Sequence, residues 1–485
     1  MKKLMLSICF INVFLIGNTQ NIIGNWKGSL TINGGQFPII FHIDKDSVGK
    51  YKASFDSPKQ MSYNLACNEV FFQNDSIHID IKLIRANYAG IYYKSTATFV
   101  GNWNQSNMSM PLTFVKISDT PSVTVIRRPQ TPKLPYAYRS NDYIYYNSDS
   151  SIRFGATLTL PDSLKFPTQK GYPSVILISG SGQHDRDGMM FQHKPFAIIA
   201  DYLTQRGIAV LRVDDRGKGK TTGNFSKSTT ADFAIDVEAG IRFLQQQPGI
   251  DTTKIGLLGH SEGGIIAPMV ASKRNDIAFL VLLAAPAVSI PELMSKQNRD
   301  ILISTGRTVK EAESYQDLYK EIIKVLVSES DTAIIRKRTV LAFNQWQKTV
   351  DSNTVILLTA VTDKISKHNF LTQFIQLNQQ IWYNYFFRIN PSLYLKNVHC
   401  PVLALNGDKD IQVDATSNLA AIKQYIKASK KQVVETIALP QLNHLFQKCT
   451  TCTTDEYNEL EESFNEGALK IISDWINKEI QLKNK

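Results

Sequence analysis

Six residues restrict the folds open to this chain more than any other stretch. Gly259-His260-Ser261-Glu262-Gly263-Gly264 stands between an apolar run, Lys254 to Leu258, and a helical pattern, Ile265 to Lys273. A strand that passes straight into a helix through so tight a turn holds its central residue in a strained conformation, and side chains at the flanking positions would collide. The turn lifts the Ser261 hydroxyl above the strand ends. It also sets the Glu262 N–H at a helix start, where developing negative charge is favoured. Ser261 is therefore the candidate nucleophile, and Glu262 a candidate oxyanion donor through its main chain.

A serine hydroxyl is a poor nucleophile until a base takes its proton, and the base needs a third group to hold its tautomer. Where the nucleophile sits on such a turn, the acid and then the base follow it along the chain. Past the apolar run Pro401 to Leu405 comes Asn406-Gly407-Asp408-Lys409-Asp410-Ile411-Gln412-Val413. Asp410 is the expected acid, with Asp408 as the alternative, because three residues on either side let the loop turn back. Of eight histidines only His444 follows Asp410, in the loop Pro440 to His444 after a strand-like run, Val433 to Leu439, so His444 is the expected base. A second oxyanion donor is expected from the loop Ser179-Gly180-Ser181-Gly182-Gln183. Ser181 is preferred there, with Gly182 next.

The surroundings are consistent with that site. Continuous apolar runs at 174–178, 209–213, 254–258, 278–283 and 401–405 alternate with helical stretches. This is the pattern of a mostly parallel sheet covered by helices on both faces, an α/β fold. Between about 290 and 395 the strand rhythm stops, and amphipathic helices with an aromatic cluster (Trp382, Tyr383, Tyr385, Phe386, Phe387) read as a helical cap insertion or an extra helical layer. Residues 22–117 differ: short alternating runs between Gly, Asn and Asp turns indicate a small antiparallel β-barrel or sandwich. Its Trp26 and Trp103, each in a Gly-Asn-Trp triplet, read as core filling before ligand binding. Residues 118–135, rich in proline, read as a linker, so the catalytic domain is expected over 136–485.

The chain starts with Met1-Lys2-Lys3 and an apolar run from Leu4 to Gly17, broken only by Ser7 and Asn12. That is the layout of a secretory signal peptide over 1–20, and the run is short for a membrane span. Cys9 lies too early for a lipoprotein cysteine. An exported, periplasmic or secreted protein with no integral membrane segment after signal removal is expected. Loss of Lys2 and Lys3 lowers the formal charge from +11 to +9. The surplus is dispersed apart from Lys427 to Lys431, and no nucleic-acid motif accompanies it, so no nucleic-acid partner is expected. Cys449 and Cys452 admit a local disulfide in an oxidising compartment, whereas zinc would need two further ligands. Asp185-Arg186-Asp187 reads as an ion-pair brace before a metal site. Asp214 to Lys220 lacks the pattern of a phosphate loop and reads as a structural turn.

Taken together, residues from about 135 to 485 resemble the α/β-hydrolase superfamily, and more narrowly a bacterial serine esterase subgroup with an N-terminal β domain. The shared stretches are 179–183 with 185–187, 214–217, 259–264, 401–407 with 409–413, and 442–446. Asn390-Pro391 stands where relatives tend to carry Asp-Pro, a departure in the cap hinge. The N-terminal domain looks lipocalin-like. The resemblance implies Ser261, Asp410 and His444 as a triad and hydrolysis of short-acyl esters through an acyl-enzyme, with a small-molecule ester as substrate and no metal or organic cofactor. The same triad would also serve a peptidase or thioesterase, and a binding protein on a hydrolase scaffold is the reading from another class.

Overall fold

A computed structural model describes residues 22–32, 35–57, 62–105, 108–117, 127–427 and 433–482. The expected signal peptide and most of the Lys427–Lys431 run lie outside the described residues. The chain forms two compact units, 1–125 and 126–485.

The first unit is one antiparallel sheet built from β1 (Gly24–Ile32), β2 (Gly35–Lys45), β3 (Tyr51–Ser57), β4 (Ser62–Ala66), β5 (Glu69–Gln73), β6 (Ser76–Ile81), β7 (Ala86–Tyr93), β8 (Thr98–Gln105) and β9 (Met108–Ile117). The order β4-β3-β2-β1-β9-β8-β7-β6-β5 curls it as a half-barrel with β4 and β5 at the ends. Alternation of buried and exposed residues along β3 and β6 gives the sheet a single apolar face. Trp26 and Trp103 are fully buried in that core, and the Trp26 indole donates to the Ile22 carbonyl oxygen at 2.9 Å.

The second unit holds an eight-stranded sheet: β10 (Arg139–Tyr146), β11 (Arg153–Leu160), β12 (Tyr172–Ile178), β13 (Ala209–Val213), β14 (Ile250–His260), β15 (Leu280–Leu283), β16 (Val402–Gly407) and β17 (Val434–Leu439). The order is β10-β11-β13-β12-β14-β15-β16-β17. From β13 across to β17 every pairing is parallel, whereas β10 and β11 add an antiparallel edge. Along the central strands successive side chains enter opposite cores. Ile176, Leu257, Leu280 and Val402 lie in one; Val175, Leu258, Val281 and Leu403 lie in the other. Both faces are therefore covered, which is why these runs are apolar without alternation.

The helices α1 (Pro195–Thr204), α2 (Thr230–Gln245), α3 (Gly263–Ala271), α11 (Ala415–Lys427) and α12 (Glu466–Leu482) belong to those layers. Seven more stand between β15 and β16 among the described residues: α4 (Ile290–Ser304), α5 (Val309–Ser328), α6 (Thr332–Trp346), α7 (Ser352–Thr359), α8 (Lys364–Gln379), α9 (Ile381–Phe386) and α10 (Pro391–Leu395). They form a helical insertion, and Asn390 caps α10 by accepting from the Ser392 N–H at 3.1 Å. No described helix is long and apolar enough to cross a membrane.

One expected boundary lies elsewhere. From residue 127 the proline-bearing stretch read as a linker is already part of the second unit. The Arg128 guanidinium donates to the carbonyl oxygens of Phe191, Asn458 and Leu460 at 2.9, 2.8 and 2.8 Å. Gln130 accepts from the Ser463 N–H at 2.6 Å and donates to the Phe464 carbonyl oxygen at 2.7 Å. Proline content reports local stiffness; it says nothing of side chains that find acceptors hundreds of residues away.

Candidate active site

The carboxyl ends of β12, β14, β16 and β17 each continue into a loop that carries one of the expected residues, as is usual for ligand sites on parallel sheets. At the end of β14, Ser261 has φ of +54°, a left-handed conformation uncommon for a side-chain-bearing residue. Its N–H donates to the Leu283 carbonyl oxygen at 2.9 Å, and its carbonyl accepts from the Gly264 N–H at 2.8 Å. The flanking glycines are demanded by space. A Cβ on Gly259 would lie 2.0 Å from the Gly263 carbonyl oxygen, and one on Gly263 would lie 2.3 Å from that of Ile178.

The acid loop after β16 delivers Asp410, 7% exposed, to His444. His444 Nδ1–H donates to Asp410 Oδ2 at 2.7 Å. The other carboxylate oxygen accepts from the N–H groups of Gln412 and Val413 at 2.8 and 2.9 Å, so the acid is held from both sides. Asp408 faces elsewhere: its Oδ1 accepts from the Gln441 N–H at 2.7 Å and braces the base loop. With Nδ1 protonated by this arrangement, a neutral His444 keeps Nε2 as its basic nitrogen.

His260 connects nucleophile and base. Its Nε2 lies 2.9 Å from the His444 carbonyl oxygen. A carbonyl only accepts, so His260 carries its proton on Nε2. The two rings lie 4.9 Å apart between centroids. Burial, reinforced by the neighbouring His444, holds His260 down to about 3, so it stays neutral.

The loop after β12 lies directly against the turn: a Cβ on Gly180 would fall 3.1 Å from the Ser261 Cβ. Among the described backbone bonds, neither the Ser181 nor the Glu262 N–H is donated to another residue of the chain. Asp215 holds both ends of this loop, accepting from the Ser179 hydroxyl at 2.8 Å and the His184 N–H at 2.7 Å. Burial raises the Asp215 carboxyl to about 7, with the Glu262 and Asp236 carboxyls pushing the same way. Glu262 itself is 2% exposed. Its Oε1 accepts from the Thr230 hydroxyl at 2.7 Å and from the Trp382 indole of α9 at 2.9 Å. Burial raises its carboxyl, and these donors together with the nearby Ser181 hydroxyl work against that rise.

Charged side chains brace the loops around this centre. Asp185 turns its own segment by accepting from the Asp187 and Met189 N–H groups at 3.1 and 2.9 Å. Arg186 engages Asp214 through Nε at 3.0 Å and Nη2 at 2.6 Å, and Arg212 pairs with Asp187. Arg216 does the same with Asp236 at 2.6 and 2.8 Å. Behind the base loop Cys449 and Cys452 form a disulfide. Both sulfurs are thereby used, and the neighbouring Glu456 carboxylate accepts from the Thr450, Thr451 and Cys452 N–H groups. A cavity of about 670 Å³ opens within the helical insertion, lined by Ile335, Ile375, Asn378, Tyr385, Arg388 and Tyr394 among others. Its lining includes none of Ser261, Asp410 and His444.

Sequence reasoning singled out Ser261, Asp410, His444, Ser181 and Glu262, and the structure sets each on a strand-end loop of the same sheet. It did not assign the roles of His260, Asp215, Thr230 and Trp382. His260 carried a signal in its place beside Ser261. Trp382 carried none, since 120 residues separate it from Glu262.

The family model described as serine aminopeptidase, S33 (Hydrolase_4) matches residues 186–447, more than half of the chain. Esterase EstD of Thermotoga maritima is 30% identical over 139 residues, 28% of this chain and 33% of EstD. Protein bem46 of Schizosaccharomyces pombe is 27% identical over 164 residues, 33% of this chain and 53% of bem46. The match thus spans a third of one relative and about half of the other. Among solved structures, Est1E from Butyrivibrio proteoclasticus with bound ferulic acid aligns at 16% identity and a TM-score of 0.40, over 70% of this chain and 99% of Est1E. At that score the likeness adds nothing to the fold already described.

Proposed function

The chain belongs to the serine aminopeptidase S33 (Hydrolase_4) family of α/β hydrolases, and we propose that it is an exported carboxylic-ester hydrolase working through Ser261, His444 and Asp410. One observation carries the reading. The Asp410–His444 pair, at 2.7 Å, sits on the loops of two strands beside the turn that strains Ser261, joined to it by the His260 hydrogen bond to His444. In this mechanism His444 Nε2 takes the Ser261 proton as the hydroxyl attacks the ester carbonyl. The N–H groups of Glu262 and Ser181 receive the oxyanion, and the alcohol leaves with the proton from His444. Water, deprotonated by the same imidazole, then attacks the acyl-enzyme carbonyl, and the acid is released as His444 returns that proton to the Ser261 oxygen. Asp410 keeps the imidazole in its tautomer and stabilises its charged form.

The family description favours a second reading, cleavage of an amino-terminal residue from a peptide. A carboxylate is one group that can receive the substrate ammonium in that reaction. Glu262, the acid adjoining the nucleophile, is 2% exposed and already accepts two hydrogen bonds, which favours the ester. EstD is named an esterase, which points the same way. Export rests on the basic and apolar start of the chain, and a disulfide at Cys449–Cys452 suits an oxidising compartment.

The test is turnover of p-nitrophenyl acetate and butyrate, beside a thioester and an aminoacyl amide, by wild type and Ser261→Ala. Ester turnover should fall on the order of 10⁶-fold in the variant, and a fluorophosphonate probe should label wild type alone. Retained turnover by the variant sinks the mechanism. Preference for the aminoacyl amide moves the protein to the peptidase reading.

A further inference from the structure

We propose that Glu262 is a positioning residue that ties the peptide N–H beside the nucleophile to helix α9 of the insertion, so that Trp382 controls the rate of the chemical step through this tether. The inference rests on the hydrolase reading of Ser261 and adds a function for two residues outside the triad.

The geometry is unusual for a residue at the head of a helix. Glu262 precedes α3 with helical φ and ψ of −55° and −34°, yet its side chain makes no cap bond to that helix. It reaches away instead, to α2 and α9, and a single oxygen, Oε1, receives both Thr230 and Trp382. Each donor is itself held. Thr230 is the first residue of α2, next to Thr229, whose side chain and that of Asp232 form a reciprocal cap. The Trp382 indole stacks on Phe386 at 4.6 Å and meets Tyr383 edge-on at 4.6 Å. The carboxyl is thus fixed from two directions by neutral donors on separate elements.

Two physical consequences follow. A main-chain donor stabilises an oxyanion only when its direction is held to within about 10–20°. Backbone and side chain of Glu262 share one Cα, so anchoring the carboxyl restrains the peptide plane that carries the N–H. In addition, a carboxylate next to a developing oxyanion would oppose it by Coulomb repulsion. The Thr230 and Trp382 donors on Oε1 offset part of that charge. Loss of the Trp382 donor relaxes both restraints at once, and the change falls on the transition state, where the oxyanion exists, more than on substrate binding.

The experiment measures, on the full-length protein, the second-order rate of fluorophosphonate labelling and kcat and KM for p-nitrophenyl butyrate. The variants are Trp382→Phe, which keeps the ring and removes the donor, Glu262→Met, which keeps the chain length and removes the acceptor oxygens, and the double variant. Each single change should lower kcat and the labelling rate by about ten- to a hundredfold, part of the loss typical for an oxyanion donor, with KM changed less than about threefold. The double variant should be no slower than the slower single one, because both changes cut the same tether. Thr230→Val removes the other donor and serves as the second probe if Trp382→Phe does not fold; it should act in the same direction. A Trp382→Phe protein with unchanged kcat and labelling, or with only a raised KM, overturns the proposal, as does a double variant whose losses multiply. Wild type that fails to label overturns the hydrolase reading and this inference with it. Wild type that labels beside an unaffected Trp382→Phe overturns the inference alone.

Discussion

Asp215 shows how a residue read only as part of a structural turn acquires a role of its own. Its carboxyl, half-buried beneath the loop 179–184, accepts from the Ser179 hydroxyl and the His184 N–H, and desolvation raises it from 3.8 to about 7. The sign of the effect on stability follows from linkage. Between about pH 4 and 7 the folded state keeps a proton that the unfolded chain has lost, so stability falls as pH rises through this window. Above it the loss is complete and flat, at most about 4 kcal/mol for a shift of this size. Asp215→Asn, which cannot ionise, should therefore gain on wild type in melting temperature between pH 5 and 8. Parallel curves for the two proteins across that range would contradict it. At this scale the sequence carried Ser261, His444 and the pair Asp408 and Asp410, because chain order and loop position are one-dimensional. The partner of His444 and the proton position on His260 are not. They depend on which oxygen faces which nitrogen across 34 and 184 residues.

At the scale of elements, the turn between β14 and α3 leaves no room for a side chain at Gly259 or Gly263. Gly263→Ala would drive a methyl group to 2.3 Å from the Ile178 carbonyl oxygen, a backbone atom with no rotamer to yield. The clash should cost roughly 2–4 kcal/mol, in line with overpacking of a dense core. A thermal melt should show the loss, and fluorophosphonate labelling should fall as the turn shifts. An unaltered melting temperature would mean that β12 gives way at little cost. Element type was legible wherever burial imposed a pattern: unbroken apolar runs for β12 to β16, alternation for the runs 38–43 in β2 and 76–81 in β6. The edge pair β10 and β11 was not recognised. Polar Arg139-Ser-Asn-Asp142 opens β10, and only its antiparallel pairing with β11 makes it a strand of this sheet. The helices of the insertion could be read from amphipathic spacing, but not the docking of Trp382 on Glu262.

For the whole molecule, each unit has its own core. The apolar cluster of the first unit contains Trp26, Phe41, Tyr88 and Phe114, and the clusters of the second draw on residues from Tyr145 onward. A chain starting at Ile126 should consequently fold and retain probe labelling within about twofold of the full-length protein, since the stability of separately cored units is approximately independent. Loss of labelling or of a cooperative melt in that shortened protein would show that the first unit supports the second. The sequence by itself determined the α/β class, the strained serine turn and the chain order of the candidate triad, because turn sterics and strand burial act within a few residues and write themselves into residue type. Only the tertiary structure decided that residues from 127 onward dock on the second unit, that Asp410 rather than Asp408 meets the imidazole, and that a cap tryptophan bonds the residue after the nucleophile. Those are choices among hydrogen-bond partners distant in the chain. Any of several donors would satisfy the same acceptor, and the packing of the elements selects the one within reach.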